Sequence, residues 1–112
     1  MQTLKPRTIE SYAHSEIKKL FWFLFVVSRG ATSRIRIISV LRNMPRNRNQ
    51  LSTELDLDYK NIEHHLKVLE KNNLVIKTGK RYGLTFCVSA LFENNENVFD
   101  EIVDRLKNGE IK

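Results

Sequence analysis

The chain has 112 residues, 41% hydrophobic and 29% charged, with 19 Lys and Arg against 13 Asp and Glu and a net charge of +6. That is enough for one domain with a real core and too little for two; the single cysteine, Cys87, excludes an internal disulfide and a thiolate metal cluster, which fits a reducing compartment such as the cytoplasm. The charge is uneven, since residues 1–90 carry 16 basic against 7 acidic side chains and residues 91–112 carry 3 against 6, so a polyanionic partner suits only the first segment.

Ile9, Ala13, Ile17, Leu20, Leu24 and Val27 recur in steps of four and three, which predicts a long first helix over 9–29 with Thr8 as its cap. Towards its end this helix becomes apolar all round through Phe21, Trp22, Phe23, Phe25 and Val26. One small body cannot cover every side of it, so the pattern predicts a subunit interface. The apolar run Leu20–Val27 is too short to span a bilayer, which needs about 20 residues, and no membrane association is expected. Gly30 to Ser33 ends the first helix and begins a second, whose expected core positions are Ile35, Ile38, Val40 and Leu41.

Pro45 and the asparagines around it read as a loop. Gln50 to Leu55 is a short third helix, Asp56 and Leu57 a turn, and Asp58 the N-cap of a fourth helix running to about Asn72. Asn73 is expected in the left-handed region. Leu74–Lys77 and Tyr82–Val88 then read as two strands around Thr78-Gly79-Lys80-Arg81. Val98, Phe99, Ile102, Val103 and Leu106 form one stripe on a final helix over 95–108 that ends at Gly109.

This order of parts is a helix-turn-helix followed by a basic hairpin, or wing. The expected fold is mainly α with a small β-hairpin: one domain, 1–112, with a winged-helix core at 33–88 and extra dimerisation helices at its two ends. In the fourth helix Ile62, Leu66 and Leu69 face the core, with Tyr59 on the same side one turn earlier, which leaves Lys60, Asn61, His64 and Lys67 outward. Asparagine can bond an adenine edge in two places and lysine can reach guanine or phosphate, so Tyr59, Lys60, Asn61 and His64 are candidate base contacts in the major groove of double-stranded DNA. Arg29, Arg34, Arg36, Arg42, Arg46 and Arg48 follow one another with no intervening acid, a run suited to phosphate contacts. The phosphate or wing candidates are Arg46, Arg48, Lys67, Lys77, Lys80 and Arg81. The apolar end of the first helix and the stripe of the last nominate Ile17, Leu20, Phe21, Trp22, Leu24, Phe25, Phe99, Ile102, Val103 and Leu106 as the homodimer interface.

The segments Ser33–Leu41, Leu51–Leu55 and Asp58–Val75 resemble ArsR-type winged helix-turn-helix regulators, especially archaeal ones, over about residues 30 to 88. The resemblance implies a dimeric transcriptional regulator with its terminal helices paired between subunits and its fourth helix in the major groove. His65 matches the histidine that precedes leucine in the family pattern, and joins the phosphate candidates as a structural or backbone-contacting residue. Metal-sensing members carry a Cys-x-Cys pair or His and carboxylate ligands that this chain lacks. His64 and His65 lie about 100° apart around a helix and cannot chelate one ion together, so no metal and no cofactor is expected. There is no phosphate-binding glycine loop and no nucleophile motif, so an enzyme is not expected. Two further readings stay open: an interaction module that docks on a transcription-machinery protein through the first helix, and a regulator tethered to a membrane surface by Leu20–Val27. An effector is a further candidate partner beside DNA and a transcription-machinery protein.

Overall fold

The computed structural model describes residues 6–79 and 83–111, with side chains from His14 onward. The chain runs α1 (Pro6–Trp22), a π-helical turn (Phe23–Val27), α2 (Ala31–Leu41), α3 (Arg48–Leu55), α4 (Tyr59–Lys71), β1 (Val75–Thr78), β2 (Thr85–Val88), α5 (Ala90–Glu93) and α6 (Glu96–Lys107). Thr8 lies inside α1 rather than at its cap. The helix α3 starts two residues earlier than the apolar pattern suggests, because Asn47 caps it. The Asn47 side chain accepts from the Gln50 N–H at 2.7 Å while the Gln50 side chain accepts from the Asn47 N–H at 2.8 Å, which satisfies two N–H groups left over at the helix start. Among the described residues no helix is long and apolar enough to cross a membrane.

The core is organised by four phenylalanines. Phe21 meets Phe25 edge-on at 5.4 Å, Phe25 meets Phe99 at 5.1 Å, Phe99 meets Phe92 at 5.3 Å, and Phe92 stacks back on Phe21 at 6.0 Å. All four are buried within one chain. Edge-to-face and offset pairs of this kind add to the burial of their large apolar areas. Burial within one chain corrects the expected dimer interface: Phe21, Leu24, Phe25, Phe99 and Ile102 belong to this chain's own core. The sequence pattern overlooked α5, a single turn begun by the Ser89 cap, and α5 supplies Phe92 as the missing partner for the first helix. The large apolar side chains left outside at the end of α1 and in the π-helical turn are Trp22, Phe23 and Val27, which are 38%, 55% and 63% exposed.

Arg42 ties α2 to α6 over the same cluster. Its guanidinium lies 5.5 Å from the Phe99 ring centre and 6.0 Å from that of Phe92, donates to Asp100 at 2.6 Å, and also pairs with Glu96. The hydrogen bonds from Arg42 hold the Asp100 carboxyl below its ordinary range. In α2 the buried aliphatic residues are Ala31, Ile37, Ile38 and Leu41, with Ile35 and Val40 only partly covered, so Ile37 takes the place expected for Ile35.

Phe92→Ala removes one wall of the aromatic ring and should cost about 3–5 kcal/mol, the usual range for emptying a buried phenylalanine site. Urea denaturation of both proteins at equal concentration measures it. A loss under about 1 kcal/mol would mean that the cluster collapses without penalty.

Candidate nucleic-acid interface

The turn between α3 and α4 is set by backbone chemistry. Asp56 takes a left-handed conformation (φ 52°), the Leu57 N–H returns to the Ser52 carbonyl at 3.1 Å, and the Ser52 hydroxyl donates to the Leu57 carbonyl at 2.5 Å. Asp58 then accepts from the Lys60 N–H at 3.2 Å and starts α4. The expected cap and turn therefore stand where the sequence puts them, as does left-handed Asn73 (φ 64°) after the helix.

The helix α4 presses Ile62, Leu66 and Leu69 into the core, fully buried as expected. At about 100° per residue, the opposite side carries Lys60, His64, Lys67 and Lys71 as one exposed stripe, with Asn61 on one flank and Tyr59, Glu63 and Glu70 on the other. Tyr59 does not share the core face; it is 43% exposed because it sits at the first position of the helix, before the packed turns begin. Among the described residues none of Lys60, Lys67 and Lys71 has a carboxylate within the 4.0 Å of an ion pair.

His65 lies inside the fold at 8% exposure and is not available to a phosphate. Its ring nitrogen Nδ1 stands 3.3 Å from the buried guanidinium of Arg34, and Gly30 lies under the ring. Gly30 has φ 89°, and a Cβ there would fall 2.5 Å from the His65 ring, so only glycine fits. Arg34 also donates from Nε to the Leu24 carbonyl at 2.9 Å and from its terminal nitrogen to the Arg29 carbonyl at 3.1 Å, and it contacts the Ser28 hydroxyl. It thus supplies donors where the first helix ends with unpaired carbonyls, and its charge complements that end of the helix dipole. Burial, then Arg34, then His64 push the His65 pKa below its ordinary 6.5; burial alone lowers that of Arg34.

The arginine run is mostly spent inside the molecule. Besides Arg34 and Arg42, Arg36 donates to the Leu55 carbonyl at 2.7 Å, at the C-terminal end of α3. Arg46 pairs with Glu54 at 2.5 Å, and Arg48 lies 4.0 Å from Glu63 with its guanidinium 4.9 Å over the Phe86 ring. The Nε of Arg48 is buried without a hydrogen-bond partner. In the wing, β1 and β2 pair antiparallel with Val75 opposite Val88 and Thr78 opposite Thr85. Arg46 adds a bridge to Phe86 through both backbone groups, so the loop before α3 acts as a one-residue third strand. Lys77 on β1 lies 3.6 Å from Glu70 on α4. Lys80 and Arg81, expected at the wing tip, lie outside the described residues.

A three-helix core with its second and third helices joined by a tight turn and followed by a hairpin defines a winged helix-turn-helix protein. Residues 32–77, from α2 to β1, match the family model described as bacterial regulatory protein, arsR family, the same stretch that carries the sequence resemblance. Solved structures of the same fold include the homodimeric winged helix-turn-helix DNA-binding domain Mb0332 from Mycobacterium bovis, a possible ArsR-family transcriptional regulator (TM-score 0.63, 11% identity, covering 94% of this chain and 92% of that one). They also include reduced HlyU from Vibrio cholerae N16961 (0.60, 18%, 91% and 97%) and NolR from Sinorhizobium fredii (0.57, 17%, 91% and 96%). No curated protein matches the sequence.

The depressed pKa of His65 gives a pH dependence with a definite sign. The unfolded chain takes up a proton on this histidine as pH falls through its ordinary 6.5, while the folded chain resists it, so stability is full above that pH and declines below it until the folded pKa is reached. Denaturation midpoints at pH 7.5 and 5.5 should differ for the native sequence and differ less for His65→Gln. An identical pH dependence in the two proteins would show that His65 bears no such penalty.

Proposed function

We propose that the protein is a homodimeric transcriptional regulator that reads double-stranded DNA with α4 in the major groove and the wing against the backbone or minor groove. The observation that carries this is the outward stripe of α4: a capped helix, fixed along its apolar face, that presents Lys60, His64 and Lys67 with Asn61 beside them and no acidic partner among the described residues. These groups suit base edges and phosphates, and the positive end of the helix lies beside Tyr59 and Lys60. The ArsR-type segment and the printed description of Mb0332 as a homodimeric DNA-binding domain support the same reading.

Dimerisation covers the part of the first helix that its own chain leaves bare. The interface in this reading is centred on Trp22, Phe23 and Val27, with the half-buried Ile17, Leu20, Val103 and Leu106 beside them. Light scattering at micromolar concentration should give twice the chain mass. The two α4 helices would then meet half-sites about 34 Å apart, or a multiple of that distance, on a two-fold related site.

Sites are obtained by selecting bound duplexes from a random pool. Asn61→Ala should cost ~1–3 kcal/mol on the selected site and little on random DNA, and affinity for either should fall steeply between about 50 and 200 mM salt. A monomer mass, or duplex binding indifferent to salt, would contradict the proposal. Salt-insensitive binding to a protein partner with no duplex binding would favour the interaction module instead.

A further inference from the structure

Three cations that the sequence offers to phosphates each lie within ion-pair distance of a glutamate, Arg46 by a hydrogen bond and Arg48 and Lys77 at longer range. Arg46 pairs with Glu54, Arg48 with Glu63 and Lys77 with Glu70, at 2.5, 4.0 and 3.6 Å. The three pairs share the seam where α3, α4 and the wing meet, and two of them join different elements: α3 to α4 and α4 to β1. Both arginine side chains are largely covered, at 18% and 26% exposure, and Arg48 is further fixed over Phe86. The stripe of Lys60, Lys67 and Lys71 differs on both counts, being exposed and unpaired among the described residues.

We infer that Glu54, Glu63 and Glu70 limit the attraction of this face for the DNA backbone by withholding Arg46, Arg48 and Lys77 from phosphates. The inference rests on the DNA-binding reading proposed above. Contacts to phosphate are blind to sequence and set the affinity for random DNA, so each cation kept on a carboxylate lowers binding to every duplex alike. Occupancy then depends on the base contacts of α4, because only a site that supplies them compensates for the missing backbone contacts. The carboxylates also repel any phosphate that approaches the seam, a penalty on unselective approach rather than a gain on the correct one.

The test uses the full chain, the selected duplex and a scrambled duplex of equal length, with affinities measured across 50–200 mM salt. Glu63→Gln and Glu70→Gln should each tighten binding to the scrambled duplex by roughly two- to fivefold, the scale of an exposed ion pair. Each should also steepen the salt dependence by about one unit of log–log slope for a cation that reaches a phosphate. Arg48→Gln in the native background should leave the slope unchanged, and the double substitution Arg48→Gln with Glu63→Gln should return it to the native value. The inference is overturned if the glutamine variants, still folded by circular dichroism, bind scrambled DNA no more tightly, or if Arg48→Gln alone makes the slope shallower by about one unit. Should the Arg48 variants fail to fold, the more exposed pair decides the matter through Lys77→Gln and Glu70→Gln, with the same expected and contrary results. If the native protein and every variant bind neither duplex at 50 mM salt, the DNA-binding reading itself falls; selective native binding that the glutamine variants leave untouched overturns this inference alone.

Discussion

The structure depends on α4 being pressed to the core along one side. Ile62, Leu66 and Leu69 leave no measurable apolar surface at that contact beyond 1%, so a rotation by a single residue would expose a leucine and bury a lysine. Either change costs on the order of kcal/mol, and burying the charge costs the more. The composition of the opposite side is therefore a consequence of packing as well as of function. Lys60, His64, Lys67 and Lys71 point outward because nothing else on the helix can point inward.

Two further contacts complete the body: one ties the two ends of the chain together, and the other ties the first of them to that fixed helix. The ring of Phe21, Phe25, Phe99 and Phe92 locks the first helix to α5 and α6, with Arg42 laid across it and anchored to Asp100. Arg34 then joins the end of the π-helical turn to His65 on α4 through one guanidinium. In the proposed dimer, the surface that pairs two chains and the helix that reads DNA thus belong to one packed body. Their spacing is set by side chains that themselves touch neither partner.

Much of this was legible from the sequence where local chemistry and burial agree. The Asp58 cap, the Asn73 left-handed turn, the apolar face of α4 and the presence of a hairpin after it all follow from spacing and from residues whose conformational preferences are strong, although β1 runs Val75–Thr78 rather than Leu74–Lys77 and β2 is confined to Thr85–Val88. The capping box of α3 was legible too, since Asn47 and Gln50 have the required separation, but the apolar pattern drew attention to the wrong start. What sequence could not show is which partner a charged or aromatic residue finds across the fold. Arg34, Arg42, Arg46 and Arg48 look alike in a row, yet Arg34 caps a helix end, Arg42 lies across two aromatic rings while pairing with Glu96 and Asp100, and Arg46 and Arg48 pair with Glu54 and Glu63. Phe21, Phe25 and Phe99 read as interface because their partner Phe92 sits on a helix of a single turn, too short to leave a periodic signal.

The most direct test of the central claim is to titrate the isotope-labelled protein with its selected duplex and follow each backbone amide by NMR. The account predicts that the largest shifts fall on residues 58–71 and the wing, with His64 and Lys67 side-chain signals moving as well, while the amides of α1 and α6 change little. Shifts concentrated on Trp22, Phe23 and Val27 with α4 unaffected would contradict it, because the duplex would then be bound by the face assigned here to a second protomer.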